Sequence, residues 1–191
     1  MRRYVRIGYY LLSLQSESHG GGHGASSNSL YKRDMIDKHE VEAAVAKAIE
    51  GTDAFVVSLT VSADNDIVVE LDSQTGLDLD FCTEVSRKVN EALDRDVEDY
   101  SLEVGTASLS APFKVTAQYE KHIGDNVDIL TRDGRKFTGL LTAVDPEART
   151  FTVEVTRKVR LEGEKRPRMV AEPETLGMDD CRSVAYHFDF K

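Results

Sequence analysis

The residues in this chain that could do chemistry are few, and their spacing argues against catalysis. His122 and His187 are possible bases, but neither has an evident Ser or Cys partner in the pattern of an activated nucleophile. The stretch Gly105-Thr106-Ala107-Ser108 is too poor in glycine to cradle phosphate and lacks the lysine of a P-loop. No Gly-x-Ser-x-Gly and no His-Glu-x-x-His occurs. Asp64, Asp66 and Asp72 could gather a cation, yet their spacing is not that of an EF-hand loop, and turn chemistry explains them. His19 and His23 lie in a Gly/His/Ser tract, which is too flexible to hold a coordination geometry. Cys82 and Cys181 are the only cysteines, which excludes a disulfide framework and a Cys-x-x-Cys zinc site. No catalytic, cofactor or metal residue is therefore assigned, and the chain is read as not an enzyme.

Charge is the stronger signal. Glu91, Asp94, Asp96, Glu98 and Asp99 crowd the C-terminal end of an expected helix. The helix dipole is negative there, so each anion is unfavourable by about 0.3–1 kcal/mol. Arg95 offsets only part of this. A solvated loop could tolerate that cost. Alternatively the cluster serves a cationic partner, which cannot be RNA. Arg157, Lys158 and Arg160 open a basic run that continues through Lys165, Arg166 and Arg168. Such runs are usually solvated, but this one could meet RNA phosphates with a strong salt dependence. Aromatic residues do not interleave it, so base stacking is not expected.

These groups need elements to position them. Asp37-Lys38-His39-Glu40 predicts a capping box. Val41, Ala44, Val45, Ala48 and Ile49 then fall on one helical face, and Gly51 supplies the stop. Phe55–Ser62 and Ile67–Leu71 predict a hairpin across Ala63–Asp66. Leu79–Leu93 predicts a second helix whose apolar stripe is Phe81, Cys82, Val85, Val89, Ala92 and Leu93. Cys82 on that stripe is read as core. Tyr100–Val104 predicts a third strand. The sum is an α+β layer of two helices on a three-stranded sheet. Farther on, Val115–His122 suggests a turn of helix. Gly124–Leu130 and Arg135–Val144 flank a strong Asp133-Gly134 hairpin signal. Gly139 suggests a bend. Phe151–Val155 and Ser183–Phe190 follow as strands, and Val159–Arg168 reads as loop. This half is expected to be a small SH3-like (Sm-like) β-barrel.

Between the halves lies a small-residue joint, Gly105 to Ala111, closed by Pro112-Phe113. Here the sequence resembles the RimP family of bacterial ribosome maturation factors. The resemblance rests on Leu102-Glu103-Val104 before the joint and on Gly124, Val127, Gly134, Phe137, Gly139 and Leu141 after it. Upstream, Cys82, Ser86, Arg87, Leu93 and Asp94 match a Cys-x-x-x-Ser-Arg helix ending in Leu-Asp. The set runs from Met35 to Lys191. The joint departs from the family in lacking Ser-Pro-Gly and in carrying Ala111 where an arginine is usual. The resemblance implies a non-catalytic assembly factor that docks transiently on the immature small ribosomal subunit. It also implies a basic ribosomal protein near the decoding region as partner to the acidic cluster, with rRNA left to the basic run. An Sm-like RNA-binding protein is the alternative.

Three segments are expected: a disordered leader 1–34, an acidic α+β domain 35–113 and a barrel domain 114–191. Residues 35–114 carry 6 basic and 18 acidic side chains, and 115–191 carry 13 and 14. The acidity thus sits in the first domain. Domains of this size bury a modest fraction of their surface. The joint is expected to let them move, with Pro112 and Phe113 as interdomain anchors. No apolar run approaches the about 20 residues that span a bilayer. A cytoplasmic monomer with no membrane partner is expected.

Overall fold

The computed structural model describes residues 36–93, 99–159 and 168–189. Helix α1, Lys38–Ala48, begins where Asp37 accepts the His39 amide at 2.9 Å. The Glu40 amide instead bonds the Asp37 carbonyl, so the cap forms without the expected side-chain bond to Glu40. Val41, Ala44, Val45 and Ala48 are buried, as the 3.6-residue period requires. Gly51, at φ 77°, supplies the left-handed stop. Strands β1 (Ala54–Val61) and β2 (Asp66–Ser73) follow. Helix α2, Leu79–Ala92, is capped by Asp78, which accepts the Phe81 amide at 2.8 Å. It buries Cys82, Val85 and Val89 and packs on α1. Strand β3 is Ser101–Thr106.

The first sheet has the order β1-β2-β3. Ser101 donates to the Asn65 carbonyl and Ala107 to that of Leu71, both 36 residues apart (101 − 65 and 107 − 71). A constant offset means that β2 and β3 run parallel, which is why a helix must connect them. Asn65 closes the β1–β2 turn at φ 63°, a conformation its short polar side chain tolerates.

The chain divides into two compact units. One is Met1–Thr52, Leu59–Val69 and Asp78–Gly105; the other is Asp53–Ser58, Glu70–Leu77 and Thr106–Lys191. In the first, Val41, Val45, Ile67, Val69, Val85 and Val89 are fully buried. The second holds helix α3 (Thr116–Lys121) and strands β4 (Asn126–Thr131), β5 (Lys136–Asp145), β6 (Thr150–Val159), β7 (Arg168–Gly177) and β8 (Cys181–Tyr186). A 3₁₀ turn, Met178–Asp180, leads into β8. These strands pair antiparallel in the order β7-β6-β5-β4-β8 around Val127, Ile129, Leu141, Phe151 and Val153.

Three features of this sheet differ from the sequence reading. Strand β6 extends to Val159, so Arg157 and Lys158 lie in a paired strand rather than beside a loop. Strand β7 was not expected at all, because Pro173 and its glutamate neighbours mask a strand. It is an edge strand, where proline is allowed. The register shift in β5 falls between Leu141 and Ala143 rather than at Gly139. Gly139 is needed for close approach: a Cβ there would lie 3.1 Å from Val153 Cβ and 3.2 Å from the Glu154 carbonyl. With three helices and two sheets the architecture is mixed α+β.

Candidate functional site

The acidic end of α2 is partly described. Its last turn has no basic residue, and Leu93 closes it. Glu91 is exposed and takes an i, i+4 ion pair from Arg87. Glu84 and Lys88 pair likewise at 3.0 Å. Asp94, Asp96 and Glu98 lie outside the described residues. Asp99 is exposed, and its carbonyl accepts the Asn65 side-chain amide at 3.2 Å. Thus of the five expected partner-binding carboxylates the structure places Glu91 and Asp99, one already matched by Arg87.

The basic run is also only partly free. Arg157 donates to Glu174 at 2.6 Å across the β6–β7 ladder. Arg135 reaches the same carboxylate at 2.6 Å from the other side. The Arg135 hydrogen bond, with Arg157 adding charge, holds the Glu174 carboxyl below its usual range. Lys158 is exposed opposite Met169, itself 60% exposed. Arg160 lies outside the described residues.

A second basic group was not anticipated. The second unit contains a cleft of about 200 Å³ lined by Phe113, Lys114, Tyr119, Arg132, Arg149 and Asp179, among others. Arg149 clamps the Asp179 carboxylate with Nε at 3.2 Å and Nη2 at 3.0 Å. Arg132 sends Nε to the Asp179 carbonyl at 2.6 Å and its backbone amide to Asp180 at 2.8 Å. The Arg149 hydrogen bonds hold the Asp179 carboxyl below its ordinary value. Tyr119 is 6% exposed, and burial pushes its hydroxyl up to about 12. Arg132 and Arg149 are separated in sequence and lie in two different turns, Arg149 in the left-handed region at φ 53°. The one available signal was the Asp145-Pro146 turn before Arg149, where Asp145 accepts the amides of Glu147 and Ala148.

At the joint, Pro112 is exposed. Phe113 donates its amide to the Val184 carbonyl at 2.7 Å, stacks on His122 and meets Tyr119 edge-on. Lys114 pairs with Glu70 at 2.5 Å and Lys121 with Asp72 at 2.6 Å, all four residues belonging to the second unit. His122 is buried and bonds Asp125 at 2.9 Å; His187 bonds Asp128 at 2.9 Å. Burial raises the Cys82 and Cys181 thiols, which makes both poor nucleophiles. Among the described residues no three His, Cys, Asp or Glu side chains cluster as a metal site, and no helix is long and apolar enough to cross a membrane.

Residues 44–109 match the RimP N-terminal domain. The ribosome maturation factor RimP of Porphyromonas gingivalis is 38% identical over 150 residues, which is 78% of this chain and 97% of that protein. The chain belongs to the RimP family. Two further RimP proteins, from Christiangramia forsetii and Flavobacterium psychrophilum, are 36% identical over 107 residues and 34% over 98. They are matched over 70% and 64% of their lengths, against 56% and 51% of this chain. The 150 residues matched to the Porphyromonas gingivalis protein exceed the N-terminal domain, so the likeness reaches into the second unit.

Proposed function

We propose that this chain is a ribosome maturation factor that docks on the immature small ribosomal subunit and assists its assembly without turnover chemistry. The observation that carries this reading is the match to a protein named ribosome maturation factor RimP over 97% of that protein's length. The acidic end of α2, with Glu91, Asp99 and the neighbouring Asp94, Asp96 and Glu98, would meet a basic ribosomal protein near the decoding region. Arg157, Lys158 and Arg160 would meet rRNA phosphates, once Arg157 exchanges Glu174 for a phosphate. The working domains are 35–113 and 114–191, with Pro112 and Phe113 as interdomain anchors and 1–34 as leader. The five antiparallel strands around Phe151 are consistent with an SH3-like barrel. The site of action would be the cytoplasm, and the working form a monomer.

The test is sedimentation of the tagged full chain with cell extract through a gradient at low salt. Co-migration with immature small-subunit particles is the expected result. Tight binding of naked RNA without co-migration would instead favour an independent Sm-like RNA-binding protein.

A further inference from the structure

We propose that the cleft lined by Tyr119, Arg132 and Arg149 is an oxyanion site that takes a phosphate group carried by RNA. The proposal rests on the reading that the second unit meets rRNA, and it adds a built pocket to the contact at the basic strand end. Arg149 clamps the Asp179 carboxylate while Arg132 bonds the Asp179 backbone carbonyl, so two guanidinium groups stand beside one carboxylate and the cleft keeps an excess positive charge. Lys114, at the same cleft, is already balanced by Glu70. Arg149 Nη1 and both terminal nitrogens of Arg132 have no partner among the described residues, and neither does the Tyr119 hydroxyl, although Tyr119 is more than nine-tenths buried. The Tyr119 ring is buried, but its hydroxyl is open to the cleft and free to meet a ligand oxygen.

The donors come from three directions: α3 supplies Tyr119, the β4–β5 turn Arg132 and the β5–β6 turn Arg149. Three converging donors suit the several oxygens of a phosphate, and guanidinium forks suit its geometry. The Asp179 carboxylate holds the Arg149 fork and its carbonyl tethers Arg132 through Nε before the ligand arrives, so less order has to be imposed on binding. About 200 Å³ is below the roughly 300–1,000 Å³ that a cofactor-sized ligand needs. The cleft therefore fits one group at the end or along the side of a longer chain. Arg149 is 56% exposed at the side chain, so the rest of an RNA strand has a way out over it.

The test uses the full chain with three probes: inorganic phosphate, ribose 5-phosphate and a short single-stranded oligouridine. Binding is followed by NMR at the Arg132 and Arg149 Nε–H groups. All three probes should shift these signals. Tyr119→Phe keeps the ring packed on Phe113 and Phe151, and it should weaken phosphate binding by about threefold or more. Arg132→Gln should weaken it by about tenfold, as expected for loss of a charge-assisted bond. Lys47→Gln, on the exposed side of α1 in the first unit, should leave phosphate binding unchanged. Shifts confined to other residues, or wild-type binding in both cleft variants, would overturn the site. Phosphate binding without oligouridine binding would overturn RNA as the source. Both results leave ribosomal docking standing if the wild-type chain still co-sediments with small-subunit particles; loss of that co-sedimentation would sink the functional reading instead.

Discussion

Replacing Asn65 should destabilise the first unit more than any other single change in its turns. The residue is 3% exposed and sits at φ 63°. Its Oδ1 accepts the Ile36 amide at 3.1 Å, and its Nδ2 donates to the Asp99 carbonyl at 3.2 Å. It therefore ties the hairpin turn to the residue before α1 and to the entry of β3. Asn65→Ala removes both bonds. The Ile36 amide, on a residue 5% exposed, is left without a partner at a cost of about 1–3 kcal/mol. The Asp99 carbonyl belongs to an exposed residue and can rehydrate, so its loss is about 1 kcal/mol. A left-handed alanine adds about 1 kcal/mol. The total is about 3–5 kcal/mol, a large share of the roughly 5–15 kcal/mol that holds a domain together. Asn65→Gly loses the bonds but not the conformation, so it should fall between wild type and alanine. The assay is urea denaturation combined with native-state hydrogen exchange at β1 and β2 amides. An alanine variant within about 1 kcal/mol of wild type would refute the hydrogen-bond argument. A glycine variant less stable than alanine would refute the conformational one.

Gly139→Ala should cost about 1–3 kcal/mol, because the new methyl meets Val153 and the Glu154 carbonyl in a packed sheet; a thermal melt followed at β5 and β6 amides measures it. The His187–Asp128 pair should give stability a pH dependence. The Asp128 hydrogen bond raises His187 above 6.5, so its contribution is complete below that value and is lost as pH rises through the raised one. Burial works against the Asp128 carboxylate, but hydrogen bonds from Thr138 and His187 prevail and lower it below 3.8; its share is present above 3.8 and is lost as pH falls through the lowered value. Melting curves from pH 3 to 9 should show both limbs, and His187→Gln should remove the upper one; an unchanged profile counts against the pair. Asp94→Asn, Asp96→Asn and Glu98→Gln together should hold or raise stability while slowing association with the small subunit at low salt. Unchanged stopped-flow on-rates with the fold intact would remove this cluster from the partner surface.

The first sheet was almost fully legible because its signals are local. An aspartate cap, a 3.6-residue apolar period and a glycine stop delimit α1, and alternation delimits β1 and β2. The second sheet was legible only where turns announced it, as at Asp133-Gly134. Strand β7 escaped because its partner β6 decides it: ten residues pair in one unbroken register despite Pro173, Glu172 and Glu174. The same pairing turned Arg157 from a loop cation into half of an ion pair. The arginine cleft could not be read at all. Arg132, Arg149 and Asp179 meet only after the sheet has brought their turns together. Charge clusters contiguous in sequence are visible to a reader of sequence; those assembled from separate turns are not.

Pro173 has a consequence for how the protein keeps company with other chains. It stands opposite Glu154 without disturbing the β6–β7 ladder, so the missing N–H falls on the outward side of β7. Exposed Glu172 sits beside it. An unguarded outer strand is a template on which foreign extended segments, or further copies, could add and grow into fibrils. Here that growth would meet an absent donor and a negative charge midway along the strand. Pro173 hid the strand from a reading of the sequence, and in the folded protein it protects that flank from aggregation.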